Sequence, residues 1–260
     1  MNVSSWSALE NEIPLEIPNI NKIKNIDELE SASQKIKECY RLLNKSGQNI
    51  VGEILKGQGT FYQMSHYPQD DVYDSETHSQ YYYHNHRGMD QEHGHFHTFL
   101  RAQSIPNHIK PMEGYQRSEP WPLGDNALVH FIGISMDDEG FPIGLFATNR
   151  WVTDQTWYSA EDTIALLDNF CIDHAFPNLV VNQWITAFFV LFRPHIVALL
   201  EHRDRIIAAA EKKNPNDDIL ENRELEITGA FSITPEEWVK QLSRMRLASS
   251  RLNSAGARGI

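Results

Sequence analysis

The spacing of the hydrophobic positions changes along the chain and predicts three kinds of structure. In residues 1–25 the apolar residues between Ile13 and Ile17 alternate with polar residues and prolines, which predicts an extended arm because proline blocks a helix. From Asp27 onwards apolar residues recur every three or four positions, which predicts an amphipathic helix. We expect the arm to lie on a groove of its own domain or on a partner subunit, and residues 26–255 to form a single domain.

The middle third of the chain has the pattern of β-strands. Aromatic and β-branched runs are separated by turn residues, and the segment 137–140, Asp-Asp-Glu-Gly, connects two of these runs as a hairpin loop would. A long proline-rich segment around Trp121 is expected to form part of the wall of a site. The predicted strands are Thr60–Met64, Ser79–His86, His93–Gln103, Ala127–Met136 and Phe141–Trp151.

The final third returns to helical spacing. Ser159, Pro177 and Pro235 are each placed as residues that begin a helix. The helix after Pro177 is apolar on nearly every face, which is typical of a helix surrounded by protein, and its polar residues argue against a membrane span. The fold class predicted from these patterns is α+β, with a central antiparallel sheet of about five strands packed by helices from both ends of the chain.

Composition and charge narrow the range of functions. Twenty-three basic and 35 acidic residues leave a net charge of −12, which repels phosphate backbones and anionic lipid. Two cysteines, Cys39 and Cys171, cannot form a disulfide framework, and the N terminus has no visible signal peptide, so we expect a cytoplasmic protein. The expected partners are a small-molecule substrate and, through the arm, a second copy of the chain. Nucleic acid and membrane are not expected.

Histidine carries the strongest chemical signal in the sequence. Seven of the 12 histidines lie within 32 residues, far more than an even distribution would place there. Side chains two positions apart share a face of a strand, so His-x-His pairs are potential chelating pairs. The seven residues are His66, His78, His84, His86, His93, His95 and His97.

Five of these imidazoles are expected to share one face of a hairpin. A loop over residues 87–92 would set His86 opposite His93, His84 opposite His95 and Tyr82 opposite His97, with cross-strand Cβ distances of about 5 Å. Ring nitrogens could then meet at an ion with bonds of about 2.1 Å. Five charged rings could not crowd together in this way, so we expect neutral rings held by a metal, by carboxylates or by water. The predicted metal ligands are His84, His86, His93, His95 and His97. A subset such as His84, His95 and His97 would bind one ion, or all five would bind two.

Nitrogen donors of this kind suit zinc or iron, and also manganese, nickel or copper, better than magnesium or calcium. Glu92, Arg87 and Arg101 are the predicted catalytic residues, because a carboxylate near the cluster can transfer protons and an arginine can hold a substrate carboxylate or phosphate. Either arginine can equally form a plain salt bridge. His130 is either a further ligand or a hydrogen-bonded core histidine. Without a metal, the cluster would be a tyrosine-lined patch of hydrogen-bonded histidines.

Two stretches around the cluster resemble a known but uncharacterised family. These are Tyr-Tyr-Tyr-His-Asn-His-Arg, residues 81–87, and Glu-His-Gly-His-Phe-His-Thr-Phe-Leu-Arg, residues 92–101. They resemble a bacterial family that is known only as a domain of unknown function. The likeness covers most of residues 50–205, and it implies no activity.

A shorter stretch, residues 93–99, is similar to the His-x-His-x-His motif of the histidine-triad nucleotide hydrolases and transferases. That resemblance implies that His95 would be the nucleophile that attacks a phosphorus atom. The stretch departs from the motif at Gly94, where the family has a bulky apolar residue, and the pair His84 and His86 has no counterpart in that family.

Three functions are therefore compatible with the sequence. The leading hypothesis is a metal-binding protein that acts as a metal-dependent enzyme on a small molecule, either as a hydrolase or as an oxygenase. The first alternative is a histidine-triad-like hydrolase or transferase. The second is a non-catalytic metal-binding or structural protein, whose ion would have no open coordination position.

Overall fold

The computed structural model describes residues 12–86 and 91–256, with side chains described to residue 247. Over these residues the chain forms seven α-helices and six β-strands, and its fold is α+β, as the sequence predicts. The helices are α1 (Ile26–Lys45), α2 (Ile50–Leu55), α3 (Arg150–Thr153), α4 (Ala160–Ala165), α5 (Leu179–Leu191), α6 (Arg193–Lys213) and α7 (Pro235–Gly256). The strands are β1 (Tyr67–Tyr73), β2 (Ser79–His84), β3 (Gly94–Arg101), β4 (Leu128–Met136), β5 (Pro142–Thr148) and β6 (Ile227–Ser232).

The six strands form one antiparallel sheet in which each strand pairs with its neighbours in sequence, in the order β1-β2-β3-β4-β5-β6. The register between β2 and β3 sets Tyr82 opposite His97 and His84 opposite His95, as predicted. The expected pair of His86 and His93 does not form. At that position the side-chain amide of Asn85 donates a hydrogen bond to the carbonyl of His93, and strand pairing ends.

Four of the five predicted strands are confirmed, and the prediction for Thr60–Met64 is wrong. This segment is a loop. The Met64 amide donates to the carbonyl of Asn85 just beyond β2 (2.9 Å), and one side chain makes two further bonds to the loop backbone. The Tyr62 amide donates to the Tyr67 hydroxyl (2.6 Å), which donates in turn to the carbonyl of Thr60 (3.1 Å). A tyrosine hydroxyl has thus replaced the ladder that the pattern of apolar residues predicts.

The two edge strands were not predicted because irregular pairing interrupts their alternation. Strand β1 advances five positions, from Tyr67 to Val72, whereas its partner β2 advances only two, from Tyr83 to Tyr81. Strand β6 has a shift in its register against β5 at Ala147 and Thr148. Such bulges hide the period of two on which strand prediction depends.

The helices cover one face of the sheet. Phe96 of β3 packs against Trp184 of α5 with 5.9 Å between ring centroids, and Phe131 of β4 packs against Phe189 at 5.7 Å. One buried hydrogen bond joins the two layers, from the Tyr81 hydroxyl to Asn182 Oδ1 at 2.6 Å. The main apolar core therefore lies between this face and α5.

The long helix predicted after Pro177 is divided into two. Asn178 is its N-cap, with a side chain that accepts a hydrogen bond from the Val180 amide (2.8 Å), and the helix ends at Phe192. Pro194 lacks the amide hydrogen that a continuous helix would need there, and α6 starts in a new direction, bent by 68°. Within the described ranges no single helix is both long and apolar enough to cross a bilayer, and only this bent pair taken together meets the length and composition required.

The described part of the N-terminal arm lies against its own domain. Glu12 forms an ion pair with Lys213 of α6 (2.8 Å), and Ile13 packs against a second, smaller apolar cluster. That cluster contains Trp121 of the proline-rich segment together with Trp157. Leu15, Ile20 and Ile23 of the arm pack against the main core, whereas Ile17 is exposed.

Candidate metal centre

Four histidines converge at the ends of β2 and β3, on the sheet face opposite the helices. Each of them offers one ring nitrogen, and these four nitrogens all lie within 4.8 Å of one another. His84, His95 and His97 are buried, and His86 is half-buried. Because metal–nitrogen bonds of about 2.1 Å place donors about 3 to 4 Å apart, a group of this size can hold one ion.

A buried carboxylate determines how His95 can bind. Glu92 accepts a hydrogen bond from His95 Nδ1 at 2.5 Å, and both side chains are almost completely buried. If Glu92 is ionised it can only accept, in which case Nδ1 carries the proton and the lone pair of a neutral His95 lies on Nε2. Glu92 was predicted as a catalytic residue, and the structure places it where it orients one ligand, an arrangement common around protein-bound metals.

A second chain of hydrogen bonds supports His97. His97 Nδ1 lies 2.9 Å from His130 Nε2, and His130 Nδ1 lies 3.3 Å from the Thr148 hydroxyl. If His97 donates to His130 and His130 donates to Thr148, the lone pair of His97 is on Nε2. His130 was left open as either a ligand or a core histidine, and the structure places it behind a ligand, outside the group of four.

The prediction that five imidazoles share one face is wrong for His93. Its ring stacks on Phe61 with 5.1 Å between centroids, and its Nδ1 lies 2.8 Å from the Tyr83 hydroxyl, on the helix side of the sheet. Gly94 makes this possible, because a Cβ there would lie 2.7 Å from that hydroxyl. Burial lowers the pKa of His93, against a smaller opposing effect of the Asp138 carboxylate.

The two predicted arginines are not brought into the cluster by the described structure. Arg101 donates from Nε to Gln80 Oε1 (2.5 Å), and it lies four residues from His97, roughly 13 Å along a strand. Arg87 lies outside the described residues. Whether either arginine meets a substrate stays a prediction.

Aromatic rings pack around the histidines. Phe146 of β5 lies 5.3 Å from the His95 ring and 5.7 Å from the His97 ring, both edge to face. It occupies the space above Gly133, where a Cβ would lie only 2.0 Å from the Phe146 ring. Glycine at this position thus lets an aromatic side chain from the next strand support two of the four histidines.

A fifth histidine at the edge of the cluster was missed by sequence reasoning, which assigned His66 to the surface or to packing. The His66 ring stacks on Tyr82 with 3.6 Å between centroids, and its edge meets His84 at 5.7 Å. Its Nδ1 bonds to Asp71 Oδ1 at 3.0 Å. The only signal in the sequence was that Tyr82 shares the parity of His84, and the irregular β1 strand hid the position of His66.

The remaining histidines lie elsewhere. His78 bonds to the Tyr73 hydroxyl (2.5 Å) near the turn between β1 and β2. His195 and His202 are buried in α6, and burial lowers the pKa of each to about 4, with the positive charge of Arg205 contributing at His202.

The family model described as "Domain of unknown function (DUF6969)" matches residues 30–233 of the chain. The chain belongs to the DUF6969 family. This is consistent with the expected membership of an uncharacterised family, and the match reaches past the expected residues 50–205 at both ends, so that it includes the whole sheet from β1 to β6. No curated protein and no solved structure matches this DUF6969 chain.

The histidines of this DUF6969 chain thus form a group with two kinds of neighbour. Hydrogen-bonding residues behind the rings orient His95 and His97, and aromatic rings beside them exclude water. Such a group can bind a metal ion through neutral nitrogen donors.

Proposed function

We propose that this DUF6969 protein binds one transition-metal ion through His84, His86, His95 and His97 and uses it in a reaction on a small molecule. The observation that carries the proposal is the convergence of four ring nitrogens within 4.8 Å on one hairpin. The hydrogen bonds of His95 to Glu92 and of His97 to His130 support it, because each engages Nδ1, and where Nδ1 is the donor Nε2 is the nitrogen that can bind.

The donor set favours zinc or iron, and then manganese, nickel or copper. The four residues of the group are all histidines, whereas magnesium and calcium require oxygen donors. A bound ion would supply Lewis-acid activation of water for hydrolysis, whereas oxidation would require a redox-active ion such as iron, manganese or copper.

The uneven burial of the four histidines favours an enzyme over a structural site. Three of the rings are buried, but His86 is half-buried, so one side of the group faces the exterior of the described structure. Four protein ligands close a tetrahedral structural zinc site, so water or substrate needs a fifth position at the ion. The half-buried side of the group, at His86, is where that position would be open.

Metal analysis of untagged protein tests the binding directly. We expect the wild type to carry about one transition-metal ion per chain, and His84→Ala and His95→Ala each to lose most of it. His78→Ala is the matched control, because His78 lies at the other end of β2 and bonds to Tyr73. The proposal fails if the wild type carries no transition metal and gains no thermal stability from added zinc, iron, manganese, nickel or copper.

The alternatives give different results in the same preparations. A closed structural site would bind no further ligand, so the visible spectrum of cobalt-loaded protein would not change when azide is added. A histidine-triad hydrolase would cleave a nucleoside phosphoramidate in the presence of a chelator and would lose this activity in His95→Ala but not in His84→Ala.

A further inference from the structure

We infer that His66, held by Asp71, accepts a hydrogen bond from the molecule bound at the ion. This selects small oxygen-donor anions that keep a protonated hydroxyl beside the coordinating oxygen, as catechols and α-hydroxy acids do. The inference rests on the proposed function, since it names the substrate class of the same site.

An irregular segment of β1 positions Asp71. The irregular segment of β1 between Tyr67 and Val72 contains Asp71 with a φ of 56°, a left-handed conformation that is uncommon for residues other than glycine. The conformation turns this carboxylate toward two partners: Oδ1 bonds to His66 Nδ1 (3.0 Å) and Oδ2 accepts from Gln80 Nε2 (2.6 Å). Bulges and backbone strain of this kind are concentrated near functional sites.

The bond to Asp71 engages one of the two nitrogens of the His66 ring. If His66 Nδ1 is the donor to Asp71 Oδ1, a neutral His66 ring has its lone pair on Nε2, which is the tautomer that this inference requires. Gln80 is itself held by Arg101 Nε (2.5 Å), so the orientation of the carboxylate is fixed from both sides. Arg101 therefore acts on the site, in this inference, through Gln80 and Asp71.

His66 lies at the edge of the group of four histidines. Its ring stacks on Tyr82 and meets the edge of His84, yet it does not belong to the group whose nitrogens lie within 4.8 Å. Its side chain is 41% exposed, in contrast to the buried rings of His84, His95 and His97. His66 is thus beside the ion's position and accessible to a molecule that arrives from solvent.

The charge of a bound divalent ion determines which further ligand it favours. Four neutral imidazoles compensate neither positive charge of a divalent ion, and the Glu92 carboxylate behind His95 offsets at most one, so an anionic oxygen is favoured as the next ligand. A hydroxyl beside that oxygen would then donate to His66 Nε2. A substrate with both groups can bind the ion through its anionic oxygen and donate a hydrogen bond to His66 Nε2 at the same time.

Two coloured probes that differ by one hydroxyl test this inference: 4-nitrocatechol and 4-nitrophenol. Each would be titrated into the zinc-loaded full chain and followed by its visible absorption. We expect His66→Ala to weaken 4-nitrocatechol about three- to ten-fold, the value of one hydrogen bond, and to leave 4-nitrophenol unchanged. Asp71→Asn should act in the same direction, because its amide can donate to Nδ1 and place the hydrogen on Nε2. His78→Ala should affect neither probe.

Zinc content and thermal stability measured on the same samples separate the possible failures. If the wild type binds neither zinc nor iron, manganese, nickel or copper, the proposed function itself is overturned. Loss of zinc in His66→Ala would make His66 a ligand and overturn the inference alone. Equal weakening of both probes, no weakening of 4-nitrocatechol, or no binding of either probe to zinc-loaded wild type would also overturn it.

Discussion

The two faces of the sheet are built from the same strands but have different chemistry. On the helix side, Tyr81, Tyr83 and Phe96 pack among aromatic and aliphatic side chains, and the free energy gained is that of apolar burial. On the other side, alternate residues of the same strands, such as His84 and His95, form a polar group fixed by hydrogen bonds. The period of two in a β-strand therefore separates the residues that stabilise the fold from those that form the site.

The largest expected effect is on the helix face. Trp184 is completely buried and packs against Phe96 and Phe188, so Trp184→Ala should lower the free energy of unfolding by about 3–5 kcal/mol. His86→Ala, on the half-buried edge of the site, should change it by less than about 1 kcal/mol. Urea unfolding in the presence of a chelator measures both, and similar losses in the two variants would show that the faces are not separable.

The next effect is the response of the helix face to acid. Burial depresses the pKa of His202 from 6.5 to about 4, so the unfolded chain takes up a proton before the folded one does. Its contribution, about 3 kcal/mol at most, is present above about pH 6.5 and is lost as the pH falls toward 4. Comparison with His202→Leu, which cannot be protonated, isolates this residue from the other histidines. Equal pH dependence of the two proteins between pH 7 and 4.5 would contradict the prediction.

A smaller effect should link the free energy of unfolding to metal affinity on the site face. In Gly133→Ala the new methyl group would overlap the Phe146 ring, which must move, and overpacking of this kind costs about 1–3 kcal/mol. Because Phe146 supports His95 and His97, we also expect weaker metal binding, measured by competition with a chelator. A second substitution, Phe146→Leu, should restore part of the stability. Unchanged metal affinity in Gly133→Ala would show that Phe146 does not support the ligands.

The smallest effect concerns His93. Tyr83→Phe removes the hydroxyl that bonds to His93 Nδ1 and should cost about 1 kcal/mol while the metal content stays at the wild-type level. Unfolding by urea and elemental analysis of the same preparation check the two parts. Loss of metal in this variant would return His93 to the site.

The pairing of β2 with β3 could be predicted because short loops restrict register and the His-x-His pattern already has the period of a strand. His84 and His95 were therefore placed correctly. His93 was not, because a side-chain bond from Asn85 and the absence of a Cβ at Gly94 redirect the chain after the strand ends. These are interactions between particular atoms, which the spacing of apolar residues does not record.

The contribution of β1 was the least predictable. Asp71 reaches His66 and Gln80 only because irregular pairing and a left-handed residue change the direction of the strand. The division of the long helix at Phe192 was missed for a similar reason, since α5 and the start of α6 are both apolar and only Pro194 marks the break. Periodicity predicts the elements, whereas the exceptions to periodicity position the site.

All four residues of the metal group lie between positions 84 and 97, on one hairpin. The entropy of closing so short a loop is small, so this stretch can chelate an ion before the rest of the chain has folded. Metal bound by unfolded chains reduces the stabilisation that binding to the native state provides. What folding adds is the support from distant strands, because His130 on β4 bonds to His97 and Thr148 on β5 bonds to His130. An ion should therefore raise the melting temperature by less than its affinity for the folded protein implies.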